Sequence, residues 1–288
     1  MTPPEGLTVQ ENTVCKLVKS LYGLKQSPRC WNAKFDNVLQ KYGLTNSHAD
    51  RCVYIGCINN KKIYLLLYVD DGLLLSTDVS ALTQVMNDLK KEFSIKICKS
   101  SLFIGMQIEK CDDYIFVHQR TYIEALIRRF NMCDANTNSI PADPHVILEK
   151  STVPDRNNKH IPYREAVGSL MFTAIVSRPD IMYAVCTAAR YLNNYDQTHW
   201  NAVKRIIKYL KETKHFGLCF RSKQSSILEC YSDADYANDP DTRRSTTGYV
   251  FMRNGAAVTW SSQRQTTVAL STTEAEFMAT CWAHNLFN

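Results

Sequence analysis

Apolar positions along the chain recur with two spacings, and the alternation between them marks out the elements. Residues 14–31 carry Leu17, Leu21 and Leu24, with Gly23 and Pro28, and read as a short strand or turn ahead of a helix. From about Pro28 the period becomes helical: Trp31, Phe35, Val38 and Leu39 share a face, and Gly43 stops the run. Cys52–Ile58 and Lys61–Val69 read as two strands joined at Asn59-Asn60, and Gly72–Ser76 reads as a third. Asp78 or Ser80 then caps a helix carrying Leu82, Val85, Met86, Leu89 and Phe93. Short strands are expected near 94–98 and 102–109, with a turn at Asp112-Asp113 and a strand over Tyr114–His118. Ile123, Leu126, Ile127 and Phe130 predict an amphipathic helix over Tyr122–Phe130. Residues 131–162 shift to Asn, Pro, Asp and Lys and read as an exposed linker.

Three helices follow, at 163–176, 179–193 and 198–213, the second opening with proline in its tolerated first-turn position. In the third, Trp200, Val203, Ile206, Ile207 and Leu210 turn inward while Lys204, Lys208 and Lys211 share the outer face. That lysine stripe is read as a solvated surface; a nucleic-acid duplex nearby would make it a phosphate-contacting one. From 216 the period becomes 2, predicting strands at 216–221, 227–232, 247–253, 256–261 and 267–270. A polar loop spans Asp233–Ser245, and a helix starts near Thr272 or Thr273.

This is an α+β pattern, and 288 residues is enough for about two domains. Hydrophobic content of 45% and charged content of 22% fit a globular chain with a core. No apolar run approaches the ~20 residues of a membrane span, and Met1–Gly6 has no secretory pattern. The eleven cysteines include no Cys-x-x-Cys pair, and the seven histidines have no ligand spacing. A structural zinc site is therefore not expected, and the cysteines read as reduced core residues of an intracellular protein. A net charge of +6 permits nucleic-acid binding without requiring it.

The chemistry concentrates in Tyr68-Val69-Asp70-Asp71, where two carboxylates interrupt a hydrophobic stretch at a strand turn. Such a pair suits divalent cations, and two cations can clamp the attacking and leaving oxygens of a phosphoryl transfer. A weaker acidic cluster combines Asp233 and Asp235, after the strand Ile227–Ser232, with Glu274 and Glu276. Glu274 lies in a first helical turn and reads as a dipole-complementing residue. Glu276, followed by Phe277-Met278-Ala279, is the one expected to face the sheet and pair with Asp233 at a metal.

Together these segments resemble the copia-type retrotransposon Pol polyprotein, in its reverse transcriptase and ribonuclease H portions. Leu21–Arg29 with Trp31 resembles the family's segment after the fingers, and Tyr68–Asp71 its polymerase turn. Phe103–Ile108 resembles the primer-grip hairpin, with Ile104 where leucine is usual. Tyr163–Ile181 resembles the connecting region; Tyr231–Asp235, Arg243–Tyr249 and Ser271–Glu276 resemble the start of ribonuclease H. The resemblance implies a partial reverse transcriptase palm at 1–112, a helical thumb or connection at 113–222, and the N-terminal part of a ribonuclease H-like α/β domain at 223–288.

It further implies an RNA-directed DNA polymerase acting on an RNA template, a DNA primer and dNTPs, with hydrolysis of an RNA–DNA hybrid. Asp70 and Asp71 would hold two Mg2+ (or Mn2+) ions, Asp70 being the essential ligand; Asp233 and Glu276 would hold metal for hydrolysis. Tyr68 would pack near the incoming nucleotide or template, and Gly23, Lys25 and Gln26 would line its pocket. Arg243-Arg244 is read as a solvated loop or a backbone-phosphate contact. The family's third polymerase aspartate lies upstream, on a strand that this chain would begin after, and further ribonuclease H ligands follow the first helix. The chain is thus expected to be truncated at both ends and catalytically incomplete alone. The alternative reading is a non-catalytic, nucleic-acid-binding relic. Its compartment would be the cytoplasm, in a virus-like particle, or the nucleus.

Overall fold

The computed structural model describes residues 1–10, 13–98, 102–151 and 160–285. It divides into two compact units, Met1–Ser100 and Ser101–Asn288.

The first unit is a four-stranded antiparallel meander with two helices. Helix α1 (Ser27–Lys41) leads into β1 (Leu44–Asn46), β2 (Val53–Ile58), β3 (Lys61–Tyr68) and β4 (Asp71–Ser76), followed by α2 (Val79–Glu92). The strands lie in chain order. Strict alternation in β3 buries Ile63, Leu65 and Leu67 and turns Tyr64 and Tyr68 outward. Onto the buried face pack Phe35, Val38 and Leu39 of α1 and Ala81, Val85 and Leu89 of α2. Asp78 caps α2 by accepting the Ser80 N–H at 2.8 Å. The strand expected at 94–98 is not formed: the chain leaves α2 extended at Phe93, and among the described residues 94–98 joins no strand ladder.

The second unit holds two sheets around a helical core. Strands β5 (Leu102–Phe103), β6 (Met106–Lys110) and β7 (Tyr114–His118) form a meander that β8 (Gly217–Arg221) completes by pairing with β7. This sheet joins residues on both sides of the boundary expected at 112. The sequence interval expected to be one strand at 102–109 is a hairpin, turned by Ile104 and Gly105 at positive φ. Between β7 and β8 run α3 (Arg120–Arg129), α4 (Tyr163–Val176), a 3₁₀ turn at Pro179–Ile181, α5 (Met182–Ala189) and α6 (Gln197–Glu212). Their apolar faces, including Ile123, Leu170, Val185 and Ile207, make one core. The helix expected at 179–193 is shorter: α5 unwinds after Ala189 into turns that reach Asn194.

The C-terminal sheet has the order β11-β10-β9, from β9 (Glu229–Ala234), β10 (Thr246–Arg253) and β11 (Ala256–Arg264), with α7 (Thr272–His284) packed on it. Ser271, rather than Thr272 or Thr273, caps α7. No strand forms at 267–270, because the Leu270 N–H is taken by Glu274 and its carbonyl accepts from Tyr236.

Two sequence expectations change here. The described part of the 131–162 segment is held on the helices: Met132 and Ile161 are buried, Tyr191 donates to the Leu148 carbonyl at 2.6 Å, and Arg205 pairs with Asp143. Residues 152–159 of that segment lie outside the described residues. Nor are the cysteines core residues, since all eleven are free and each is at least partly exposed. Among the described residues no helix is long and apolar enough to cross a membrane.

Candidate functional site

Two hairpins of the first unit turn on two residues each, with different chemistry. Between β2 and β3, Asn59 and Asn60 both take positive φ, the pairing that a type I′ turn demands. Between β3 and β4 the register brings Tyr68 opposite Asp71, leaving Val69 and Asp70 as the turn. Only Val69 has positive φ, +53°, the sign pattern of a type II′ turn, where glycine is the usual first residue. A β-branched residue in that region carries a backbone cost on the order of 1–3 kcal/mol.

The ladder therefore fixes the acidic pair well. Asp70 stands at the turn tip, and Asp71 opens β4 on the outward face that it shares with Tyr68. Tyr68, Asp70 and Asp71 are all exposed. Leu73 and Leu75 continue the same face along β4, paired with Leu66 and Tyr64. Two hard carboxylate oxygen donors, the type that magnesium takes, thus stand exposed at the end of the β3–β4 hairpin. Among the described residues no group of three His, Cys, Asp or Glu side chains converges as a metal site.

Gly23, Lys25 and Gln26 lie together on another element, the entrance to α1. Gly23 has φ +92°, Gln26 is the N-cap residue, and the Ser27 hydroxyl donates back to the Leu21 carbonyl at 2.6 Å. Gly23, Lys25 and Gln26 are exposed.

In the second unit, Asp233 lies in β9 opposite Gly248 and is exposed. Its neighbour Ser232 meets the Thr280 hydroxyl of α7 at 3.3 Å. Strand alternation turns Asp233 to the other face, with Tyr231. On that face the paired row Tyr231, Val250 and Trp260 runs to the helical core, where the Trp260 indole donates to the Ala174 carbonyl at 2.8 Å. Glu276 is exposed on α7, one turn before Thr280. Glu274 acts within its own helix end, accepting the Leu270 N–H at 2.6 Å, as its first-turn position suggested.

Sequence reasoning missed a set of charges in this unit. Asp239, 1% exposed, is paired with Arg190 at 3.4 Å and with Arg264, and it accepts the N–H groups of Asp241 and Thr242. Burial pushes its carboxyl up, but bonding from Arg264 and Thr242 and the charges of Arg264 and Arg190 outweigh that and hold it below its ordinary range. The three partners are 25 to 74 positions apart, so no local pattern announces them. The lysine stripe of α6 also changes meaning at one position: Lys211 donates to the Ala135 carbonyl at 2.8 Å.

The family model described as reverse transcriptase (RNA-dependent DNA polymerase) matches residues 1–144. Over 97% of its length the chain is 42% identical to the retrovirus-related Pol polyprotein from transposon TNT 1-94 of Nicotiana tabacum, covering 22% of that protein. It is 35% identical over 96% of its length to the corresponding polyprotein from transposon RE1 of Arabidopsis thaliana, covering 19%. It is 30% identical over 96% of its length to a putative transposon Ty5-1 protein of Saccharomyces cerevisiae, 91% of which it covers. The chain thus spans about a fifth of the length of the plant polyproteins that it matches. No solved structure gives a significant match. The acidic hairpin, the family match over the first half and the likeness of nearly the whole chain to a part of transposon Pol proteins agree, and the chain belongs to the reverse transcriptase family of copia-type Pol polyproteins.

Proposed function

We propose that the β3–β4 hairpin is the nucleotidyl-transfer centre of an RNA-directed DNA polymerase, with Asp70 and Asp71 as its metal ligands. The observation that carries this reading is the register of Tyr68 against Asp71, which sets both carboxylates at the exposed end of a paired ladder. The donor set fits Mg2+ or Mn2+, because magnesium is commonly held by one or two carboxylates together with water and substrate phosphates. When bound, such ions favour ionisation of the primer 3′ hydroxyl and balance charge on the triphosphate. The chain's own residues do the rest. Asp70 and Asp71 hold the site's negative charge at fixed positions on the ladder. Tyr68 offers an exposed ring to the incoming nucleotide or template base. Gly23, Lys25 and Gln26 form the nucleotide-pocket wall at the head of α1, Lys25 supplying a cation for the triphosphate. The partners are an RNA template, a DNA primer and dNTPs, and the setting is intracellular, in cytoplasmic virus-like particles or the nucleus.

Residues 223–288 are proposed as ribonuclease H-like, with Asp233 and Glu276 as metal ligands acting on an RNA–DNA hybrid. The order of motifs supports this assignment.

The test uses Mn2+ as a paramagnetic probe with the 288-residue chain. Titration should broaden the amide resonances of residues 68–72 selectively, and Asp70→Asn with Asp71→Asn should abolish the effect. Primer extension on an RNA template, with and without Asp70→Asn, reports the activity itself. Mn2+ broadening that is uniform over the surface, or unchanged in the double variant, would sink the metal assignment.

A further inference from the structure

We propose that a cavity of the second unit binds an uncharged organic molecule carrying a carboxamide or lactam carbonyl on an apolar body. The cavity lies between α5, α6, residues 141–148 and the loop at 238–240, and its volume is about 590 Å3. That size is within the range of small-molecule sites. Neither Asp233 nor Glu276 is on its wall, and neither are Lys204, Lys208 and Lys211 of α6.

Three features of the wall define the ligand. The first is its framing. Residues 141–148 are tied to the helices near both ends, by the Asp143–Arg205 ion pair at 3.1 Å and by the Tyr191 hydroxyl, which donates to the Leu148 carbonyl at 2.6 Å. Between those ties the wall is mainly apolar, with Val146, Ala184, Ala202 and Ile206. The second feature is charge. The charged residues on the wall are Asp143, Arg190 and Arg205. Asp143 neutralises Arg205, and Arg190 is paired with Asp239, which Arg264 shares. Asp241 adds a third carboxylate: burial, then the charges of Asp241 and Asp239, push the Tyr191 phenol up to about 12. Three arginines thus meet three carboxylates, and a charged ligand would find no free countercharge. Desolvating an uncompensated charge is costly, so the complementary ligand is neutral.

The third feature is unmet hydrogen bonding. Thr187 on α5 and Arg205 on α6 both belong to the wall, and the Thr187 Oγ1 and Arg205 Nε atoms are buried with no partner among the described residues. Buried polar atoms are nearly always paired. A guanidinium N–H only donates, and a hydroxyl donates as readily as it accepts. The group that answers both is an acceptor, and a carbonyl oxygen supplies one without adding charge. An apolar body with a neutral carbonyl therefore fits all three features.

The experiment follows the amide resonances of the 288-residue chain during titration with probes of one shape and different charge: benzamide, benzoate and benzamidinium. Benzamide should shift Ala184, Asn201 and Ala202 saturably, with a roughly millimolar Kd for so small a probe. Benzoate and benzamidinium should bind about tenfold more weakly, or less. Ala202→Phe, which fills the cavity, should remove the benzamide response. Asp143→Asn strips Arg205 of its countercharge and should reverse the order, so that benzoate binds about tenfold more tightly than benzamide. No saturable response, equal affinity for all the probes, benzamide shifts that persist in a folded Ala202→Phe, or an unchanged order in Asp143→Asn overturns the proposal. Asp143 and Arg205 are each only partly buried, so Asp143→Asn should keep the parent's thermal melt, and it decides the matter if Ala202→Phe does not fold.

Discussion

Single side chains in this protein act over long chain separations. Arg178, 1% exposed, is bound by Asp180 on one side and by the carbonyl and hydroxyl of Thr213 on the other, with the rings of Tyr209 and Phe216 in cation–π contact. It thereby joins the end of α4 to the end of α6. Arg178-Pro179-Asp180 was visible in the sequence as a helix start, but its reach to Thr213 was not, because a helix signal is local and this contact is not. Asp239 has the same character, and its depressed carboxyl gives a signed prediction. Its stabilising effect is complete above the ordinary carboxylate pKa of about 3.9 and is lost as pH falls through the lower folded value. The melting temperature of the second unit should therefore fall in acid, starting below about pH 4. Asp239→Asn should lower it already at pH 7 and flatten the acid limb in a pH series of thermal melts. A variant with the parent's acid limb would count against the assignment.

Elements with strong internal periodicity were legible. Helix α1, strands β2 to β4, helix α2 and helix α3 lie within a residue or two of their sequence expectations, because burial of one face dictates each pattern. Elements that depend on a partner were not: 94–98 has strand-like composition but joins no ladder among the described residues, and Leu270 is consumed by the α7 cap. The acidic hairpin falls between these cases. Its position was legible, while its turn type depends on Val69 accepting a backbone conformation suited to glycine. Val69→Gly should relieve that cost and raise the stability of the first unit by about 1 kcal/mol, measured by urea unfolding. A loss of stability would mean that the valine side chain contributes more than its backbone costs. Of the candidate site, the carboxylates could be read directly. The face that each one occupies follows from strand register, which only the folded sheet defines.

At the scale of the whole molecule, two separate cores take the place of a continuous one. Leu39 is fully buried in the first and Ile207 in the second. Leu39→Ala should destabilise the first unit and Ile207→Ala the second, each by roughly 2–5 kcal/mol. Residue-resolved hydrogen exchange should show protection lost in the matching unit; uniform loss from either substitution would refute the partition. The sequence did not reveal how β8 returns to β7 across about a hundred residues, since nothing in a strand's own pattern names so distant a partner. The C-terminal sheet has a practical consequence of its own. Among the described residues β9 pairs on one side only, and it follows the exposed Ile227 and Leu228 and carries the exposed Tyr231. Its unpaired side is a row of amide and carbonyl groups at the spacing of another strand, so copies of the chain can stack edge to edge. Colloidal stability, more than folding energy, then sets the concentration at which this protein can be handled.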